Sequence, residues 1–357
     1  MKILCVVGAR PNFVKISPII KELKKHKKIE TLLVHTGQHY EYNLSKSFFE
    51  DLNINDPNIF LDIHGGSHGE QTGKTLIEFE KVLLKEKPNL VIVVGDVNST
   101  LACALASKKL GIKIAHIEAG LRSFNWNMPE EINRVIVDRI SDYLFITERE
   151  AVKNLRKEGL ENNVFFVGNI MIDSIHNNLD KIKRSDILKR LDIKPKEYIL
   201  FTTHRPENVD SLKNLKKIVS IILALHKEYK IVLPLHPRTK KNLEIYDLFD
   251  SLIKDSIILV PPIRYVDFIK LEMDSLCVLT DSGGIQEETT FLGIPCLTLR
   301  EETERPITVT EGTNKIVGLD YDKIISEIKN LKLVKKRKVP ELWDGRTAER
   351  IVDIIRK

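Results

Sequence analysis

Short runs of β-branched and other apolar residues alternate with longer amphipathic stretches along most of the 357-residue chain. In the first half the amphipathic stretches include LIEFEKVLLKEK (76–87) and EEINRVIVDRISD (130–142), which predict helices. The apolar runs predict strands at 3–7, 31–35, 90–94, 113–117, 143–146 and 164–167. This alternation is typical of parallel βαβ units, so the chain is expected to have an α/β fold.

The pattern starts again in the second half of the chain. YILFTTHRPEN (198–208) is similar to ILCVVGARPN (3–12), because each is an apolar run followed by a turn that carries Arg-Pro. Further strands are expected at 231–235, 256–260, 276–280 and 295–299. The chain therefore predicts two Rossmann-like domains, 1–168 and 169–340. The last segment, 341–357, predicts a helix that is capped by Asp344 or Gly345 and completes the first domain.

The strand-end loops are where catalytic and binding side chains are expected. In open parallel sheets, ligands bind beyond the carboxyl ends of the strands. If two such sheets face each other, both sets of loops border one active-site cleft between the domains.

Composition argues against several classes of function. The chain is 42% hydrophobic and 30% charged, as expected of a soluble globular protein. The N-terminal MKILCVVGARP turns after five apolar residues, so it predicts a strand and not a signal peptide, and no apolar run is as long as a membrane span. Four cysteines lie far apart beside apolar segments, which predicts buried thiols in a cytoplasmic protein: Cys5, Cys103, Cys277 and Cys296.

The formal net charge of +6 comes from lysines spread over helical patterns such as KELKKHKK (21–28). No aromatic residues interleave with these lysines as a base-stacking surface would require, so nucleic-acid binding is not expected. The excess positive charge favours a small anionic ligand instead.

TDSGGIQEE (280–288) follows an apolar run and combines features of an anion site and a sugar site. Gly283 and Gly284 allow a ligand close to the backbone at a helix start, where the amides favour an anion. Ser282 can cap that helix or bind a phosphate oxygen. Glu288 can accept hydrogen bonds from ribose hydroxyls. A capped helix and a nucleotide diphosphate site both remain open on this segment alone.

Two acidic residues follow successive predicted strands, Asp96 in VVGDVNST and Glu118 in HIEAGLRS. MPEEINR then supplies Glu130, Glu131 and Arg134 at a helix start, where acids are common without any function. Acids at strand ends commonly serve proton transfer or bind metal. Because no His-x-His pair or acidic cluster accompanies them, acid/base chemistry is the better interpretation.

Cationic residues occur in further strand-end loops. GARPNFVK (8–15) contains Arg10, which can hold a phosphate with two hydrogen bonds, and Lys15, which would act as a point charge. It lacks the Walker pattern, so ATP hydrolysis is not indicated. The second half supplies His204 and Arg205 in THRPEN, and its other loops add His236, Arg238 and Arg305.

The order of these segments resembles that of UDP-N-acetylglucosamine 2-epimerases. GARPNFVK, TGQHY, VGDVNST, HIEAGLRS, PEEINR, HRPEN, TDSGGIQEE and TERP extend from residue 8 to about residue 312. The resemblance implies a GT-B type architecture with residues 169–340 as the UDP-binding domain. It also implies reversible conversion of UDP-GlcNAc to UDP-ManNAc, without metal or other cofactor, by a homodimer that supplies sugars for surface polysaccharide.

The resemblance also implies roles for individual residues. Asp96, Glu118 and Glu130 would form the acid/base group, with His204 close to the departing phosphate and Asp96 as the expected C2 base. The residues implied in substrate binding are Arg10, Lys15, Arg134, Arg205, Phe268 (beside uracil), Ser282, Gly283, Gly284, Glu288 and Arg305.

The chain departs from many bacterial members at a second, regulatory substrate site. Ala9, Asn12 and Pro206 stand where those members have Thr, Glu and Arg, and EYNLS follows TGQHY, although Gln38, His39 and His236 are present. Weak or absent activation by a second substrate molecule is therefore expected. The alternative functions are a hydrolysing epimerase, which releases ManNAc and UDP, a GT-B glycosyltransferase, and a nucleotide-sugar sensor without catalytic activity.

Overall fold

The structure, a computed structural model, describes residues 1–37, 49–331 and 339–357, without the side chain of Arg10. Contacts divide the chain into two units. The first unit comprises Met1–Asn177 together with Glu341–Lys357, and the second comprises Asn178–Pro340.

The first unit is built on a parallel sheet of seven strands in the order β3-β2-β1-β4-β5-β6-β7. Its strands are β1 (Lys2–Val7), β2 (Glu30–His35), β3 (Ile59–Phe60), β4 (Leu90–Val94), β5 (Lys113–Ile117), β6 (Tyr143–Ile146) and β7 (Val164–Phe166). Helices between or after them are α1 (Arg10–Lys24), α2 (His68–Glu86), α3 (Asn98–Lys109), α4 (Pro129–Ile140), α5 (Arg149–Lys157) and α6 (Ile170–Arg184), which crosses the unit boundary.

The second unit is built on a parallel sheet of six strands in the order β10-β9-β8-β11-β12-β13. Its strands are β8 (Tyr198–Thr202), β9 (Lys230–Pro234), β10 (Ile257–Val260), β11 (Cys277–Thr280), β12 (Cys296–Thr298) and β13 (Asn314–Ile316). Its helices are α7 (Ile187–Arg190), α8 (Pro206–Val209), α9 (Leu212–Leu225), α10 (Pro237–Ile245), α11 (Tyr265–Asp274), α12 (Gly283–Leu292), α13 (Pro306–Thr310) and α14 (Tyr321–Asn330), with a 3₁₀ turn at Asp250–Leu252. Helix α15 (Thr347–Ile355) returns to the first unit, where it packs on α1.

The α/β fold with two parallel sheets is confirmed. The central strands β4 and β8 are buried over their whole length, as expected of parallel strands with helices on both faces. The expected strands are present to within a few residues at each end. The two that the sequence did not predict, β3 and β13, have only two and three residues, which is too short for a hydrophobic pattern.

Two helix starts differ from the expectation. Helix α2 begins well before residue 76, because Ser67 and Glu70 form a capping box at its N-terminus. The terminal helix α15 is not capped by Asp344 or Gly345. Its first amides donate instead to the Asp173 carboxylate of α6, with Thr347 N at 3.1 Å and Ala348 N at 2.7 Å.

All strands are parallel, but the order in which the chain adds them to each sheet reverses once. The reversal lies between β1 and β4 in the first sheet and between β8 and β11 in the second. A reversal of this kind opens a crevice at the carboxyl ends of the strands, where ligands bind in open α/β sheets. None of the helices in the described ranges has the length and apolar character needed to cross a bilayer.

Candidate active site

In the first unit, the loop after β1 is fastened to the end of β4 by one buried side chain. Asn12 accepts hydrogen bonds from the amides of Gly8 (3.3 Å) and Ala9 (2.9 Å), and its Nδ2 donates to Val94 O at 2.9 Å. This asparagine brings the start of α1, which carries Lys15, against the loop that contains Asp96.

Lys15 forms a buried ion pair with Glu118, a partner that the sequence did not reveal. Gly95 lies beside this pair: a Cβ built on it would stand 3.5 Å from Glu118 Oε2 and 3.6 Å from Lys15 Nζ. Glu118 has a φ of 70°, an uncommon conformation for a residue with a side chain and one often found at functional sites. Its second oxygen, Oε1, is buried without a hydrogen-bond partner among the described residues. Glu118 therefore has an acceptor site left for a ligand.

Asp96 and Arg134 form a second ion pair next to the first. Arg134 Nη2 contacts the Asp96 carboxylate, and its Nη1 donates to Glu131 Oε2 at 2.9 Å. Asn133 Nδ2 donates to the main-chain oxygen of Asp96 at 2.8 Å. The Asp96 side chain is 27% exposed, compared with 2% for Glu118, so Asp96 is the more accessible carboxylate.

The two glutamates at the start of α4 have different environments. Glu131 is buried and accepts hydrogen bonds from the amides of Ser123 and Phe124, both at 2.9 Å, so it organises the loop before α4. Glu130 is only partly buried, and no ion pair to it occurs in the described part of the chain. Glu130, like Asp96, can therefore contact a ligand.

In the second unit, Asp281 organises the loop after β8. This fully buried carboxylate accepts hydrogen bonds from Thr203 Oγ1 (2.7 Å), the amides of His204 and Arg205 (3.0 Å each) and Asn208 Nδ2 (3.1 Å). His204 Nδ1 lies 3.0 Å from its Oδ1. Although burial alone would raise the pKa of Asp281, the hydrogen bonds and the charge of His204 hold it well below its usual range.

This contact determines which nitrogen of His204 can bind a ligand. With Nδ1 held by Asp281, Nε2 is the ring nitrogen left for a ligand, and the side chain is 35% exposed. The His204 ring lies 5.3 Å from that of His236, the N-cap of α10. Arg238 is paired with Asp210 on the surface.

Two arginines flank the start of α12. Arg305 Nε donates to Glu287 at 3.0 Å, and Arg205 Nη2 lies 3.8 Å from Glu304. Glu304 is buried and also holds Arg300. Burial opposes its ionisation, but these arginine contacts keep its pKa far below normal. Glu287 holds Arg305 near Gly283, since a Cβ built on this glycine would lie 3.9 Å from Glu304 Oε2 and 4.0 Å from Arg305 Cζ.

Ser282 is the N-cap residue of α12 by backbone geometry, but its side chain does not cap the helix. The amide of Ser282 donates to Thr280 Oγ1 at 3.0 Å. Ser282 and Gly284 are partly exposed and Gly283 is buried. The start of α12 thus keeps its amides available for an anion.

Glu288 lies in the second turn of α12 beside another carboxyl group, that of Glu272 from α11. Both are almost fully buried. Burial, and then the negative charge of Glu288, raise the pKa of Glu272 well above its ordinary value. The direction of this shift favours the protonated form of Glu272. Phe268, in the first turn of α11, is partly buried and packs against the core of the second unit.

Several predicted residues are thus brought together within each unit. Asp96, Glu118, Lys15 and Arg134 cluster in the first unit, and His204, Arg205, Ser282, Gly283 and Arg305 lie at the carboxyl edge of the sheet in the second. Gln38, His39 and the side chain of Arg10 lie outside the described structure. The described residues contain no group of three His, Cys, Asp or Glu side chains suited to a metal ion.

Two residues with important roles were missed by the sequence interpretation. Asp281 directly follows β11, much as Asp96 follows β4, and that position was a usable signal. Glu304 could not be identified in this way, because its arginine partners include Arg205, distant in the sequence. Asp281 mainly organises the loop after β8 and Glu304 holds arginines, while the carboxylates of Asp96 and Glu118 remain suited to proton transfer.

Comparison with known proteins agrees with this geometry. A family model described as UDP-N-acetylglucosamine 2-epimerase matches residues 21–356. A UDP-N-acetylglucosamine 2-epimerase of Methanocaldococcus jannaschii is 46% identical, with 99% of each chain covered. A UDP-2,3-diacetamido-2,3-dideoxy-D-glucuronate 2-epimerase of Pseudomonas aeruginosa is 45% identical over 91% of this chain and 90% of the relative.

A solved structure of the M. jannaschii UDP-GlcNAc 2-epimerase, in complex with UDP-GlcNAc and UDP, superposes with a TM-score of 0.93. The two proteins are 46% identical, and the match covers 100% of this chain and 99% of the other. These matches do not favour the glycosyltransferase, sensor or hydrolysing alternatives. The chain belongs to the UDP-N-acetylglucosamine 2-epimerase family.

Proposed function

We propose that this protein interconverts UDP-GlcNAc and UDP-ManNAc by eliminating UDP and adding it back. The observation that carries the proposal is the cluster at the ends of β4 and β5, where Asp96 and Glu118 are each held by a cation. Its family membership supports the same reaction.

The C2 hydrogen of the sugar is not next to a carbonyl group, so enolisation cannot remove it. When the C1–O bond breaks, its electron pair leaves with the UDP phosphate oxygen, and positive character at C1 acidifies the C2 hydrogen. A carboxylate takes the proton, and the C2–H pair becomes the C1=C2 bond of a glycal. Re-addition forms C1–O again and protonates C2 from the opposite face.

Asp96 is our candidate for the base. Its side chain is the more exposed of the two strand-end carboxylates, and Arg134 fixes it without covering it. Glu118 and Glu130 are then the carboxyl groups available for the opposite face, and Lys15 compensates the charge of buried Glu118.

The second unit is our candidate for the UDP-binding domain. The amides of α12 and the hydroxyl of Ser282 suit the diphosphate. Arg205, Arg305 and His204 add the positive charge that a departing UDP needs. Glu288 supplies the acceptor for the ribose, and Phe268 is the candidate contact for uracil.

We also propose that the protein is a homodimer. Two helices of the first unit that both pack on α3 expose apolar side chains, Ile77 (55%) and Leu84 (57%) on α2 and Ile132 (39%) and Ile136 (38%) on α4. The two helices line a common groove that includes Thr72 and Ile132. An exposed apolar surface of this kind is suited to a second copy of the chain. We call these four residues the α2–α4 patch.

A cytoplasmic location is part of the same proposal. All four cysteines are free and buried in the structure, which suits a reducing compartment. Nucleotide-sugar chemistry that supplies surface polysaccharide would take place there.

Proton NMR of the wild-type protein with UDP-GlcNAc, without added metal or nicotinamide, tests the reaction. We expect UDP-ManNAc to appear and the conversion to stop at a mixture of the two sugars. Free ManNAc and UDP accumulating to completion would contradict the proposal and assign the hydrolysing reaction. The same time course with UDP-2,3-diacetamido-2,3-dideoxy-D-glucuronate provides the comparison, and faster turnover of that sugar would contradict UDP-GlcNAc as the preferred substrate.

A further inference from the structure

A chain of four ionisable side chains, buried except for Glu158, leads from the surface of the first unit to the loop that carries Asp96. Glu158 binds Arg122 through two contacts of 2.7 Å, and Arg122 Nη1 donates to Asp138 Oδ2 at 2.7 Å. Asp138 Oδ1 lies 2.7 Å from His116 Nδ1, and His116 Nε2 lies 2.9 Å from the main-chain oxygen of Gly95. His116 and Asp138 are completely buried.

Both ring nitrogens of His116 face hydrogen-bond acceptors. A carbonyl oxygen can only accept, so Nε2 must carry a proton to bond with Gly95. On the other side, Asp138 Oδ2 already accepts from Gly120 N at 2.9 Å and from the Arg122 guanidinium. The guanidinium of Arg122 and the Gly120 amide on Oδ2 suit an ionised Asp138, whose Oδ1 then accepts the proton of Nδ1. With both ring nitrogens protonated, the ring is an imidazolium.

The bond to Gly95 fixes one peptide group next to Asp96. The Gly95 oxygen and the Asp96 nitrogen belong to the same peptide group. A hydrogen bond to this oxygen therefore fixes the plane of the peptide group that precedes Asp96. Asn133 Nδ2 holds the oxygen of the following peptide unit at 2.8 Å. Arg134 holds the carboxylate itself. Hydrogen bonds therefore hold the peptide groups before and after Asp96, and an ion pair holds its side chain.

We propose that His116, as a buried imidazolium held by Asp138, is a positioning residue for Asp96. The inference rests on the proposed function in that Asp96 is taken as the C2 base. His116 acts through the Gly95 peptide and does not touch the substrate. Its removal releases a peptide group that orients the catalytic carboxylate, and a misplacement of about 1 Å can reduce a rate about 100-fold.

The protonation of His116 can be measured in the wild-type protein without turnover. In ¹⁵N NMR spectra of ring-labelled histidine, assigned with His116→Gln, both ring nitrogens of His116 are expected to be protonated at neutral pH. One unprotonated ring nitrogen would overturn the imidazolium. Because this measurement needs no substrate, it distinguishes a failure of this inference from a failure of the proposed epimerase reaction.

The effect on Asp96 is measured by kinetics. We expect His116→Ala to lower kcat about 100-fold and to change KM for UDP-GlcNAc less than about threefold. His226→Ala is the matched control, because the ring of His226 lies in the second unit with its Nδ1 2.9 Å from Ser256 Oγ. A folded His116→Ala protein with the kcat of the control, or with a KM that rises as much as kcat falls, would overturn the positioning role.

Asp138→Asn provides a second test of the positioning role if the His116→Ala protein does not fold. The side-chain amide in this variant can donate to Nδ1 and still accept from Gly120 and Arg122, which leaves a neutral ring whose Nε2–H holds Gly95. Asp138→Asn is therefore expected to retain kcat within about fivefold, whereas Asp138→Ala loses most of it. Equal loss of kcat in the two variants would contradict positioning through Nε2–H.

Discussion

At the scale of single residues, the buried carboxylates differ in how completely their oxygens are paired. Glu304 and Asp281 have several cationic or amide partners, which keep their pKa values low despite burial. Glu118 is different, because one of its oxygens is buried without a partner in the described ranges. A buried acceptor without a partner costs about 1–3 kcal/mol, and bound substrate would remove that cost.

Glu272 leads to a prediction about pH and stability. Burial and then the charge of Glu288 raise its pKa in the folded protein above its value in the unfolded chain. The stability that comes from this group is complete below the unfolded pKa of about 4.3 and is lost as the pH rises towards the folded pKa. The loss is on the order of 1 kcal/mol per pH unit. Glu272→Gln resembles the protonated acid and is expected to be more stable than wild type at pH 7 and 8.

Denaturant unfolding between pH 5 and pH 8 measures this difference. The gain of Glu272→Gln over wild type is expected to grow with pH, and the same substitution at exposed Glu161 serves as the control. If Glu272→Gln were less stable than wild type at pH 8, the buried carboxyl would be ionised in the folded protein, contrary to our assignment.

At the scale of helices and strands, local pattern predicted the elements well, but not the contacts made by distant parts of the chain. The strands β1, β4, β5 and β8 were expected from their apolar runs, and Asp96 after β4 and Glu118 after β5 were expected from their positions. The capping of α15 was predicted wrongly, because Asp173 lies far away in the sequence. Asp344 was a reasonable local candidate, but it accepts from Arg346 N and pairs with Arg350 instead.

This difference predicts unequal effects of two aspartate substitutions. Asp173→Ala removes the acceptor of two amides at the start of α15 and is expected to lower the free energy of unfolding by about 1–2 kcal/mol. Asp344→Ala loses mainly exposed contacts and is expected to cost less than about 1 kcal/mol. Urea unfolding gives both values, and amide exchange locates the effect in α15. A larger cost for Asp344→Ala would restore the sequence-based expectation.

At the scale of the whole molecule, the acidic and the cationic candidate residues are divided between the two halves of the sequence, and each half forms its own parallel sheet. Strand-end acids occur in the first half and most cationic loops and the glycines in the second, so residue types and positions were predictable. The ion pairs Lys15–Glu118 and Asp96–Arg134 were not, because each joins a strand-end carboxylate to a cation on a helix that only the folded sheet brings beside it.

The proposed homodimer gives a prediction for the assembly. Light scattering coupled to size exclusion is expected to give twice the mass of the 41.0 kDa chain for the wild type. A lysine in the α2–α4 patch, as in Ile77→Lys or Ile136→Lys, is expected to shift the mass towards one chain. Ile245→Lys is the matched control, because Ile245 is 59% exposed on α10 of the second unit. A monomeric wild type, or patch variants that remain dimeric, would contradict the proposal.

The central claim is that Asp96 transfers the proton at C2 of the sugar. The most direct measurement is deuterium incorporation at C2 in heavy water, followed by NMR for wild type and Asp96→Asn, together with calorimetric binding of UDP. We predict that wild type incorporates deuterium, and that Asp96→Asn slows incorporation about 100- to 10,000-fold while binding UDP with nearly unchanged affinity. An Asp96→Asn protein that incorporates deuterium at the wild-type rate would contradict the account.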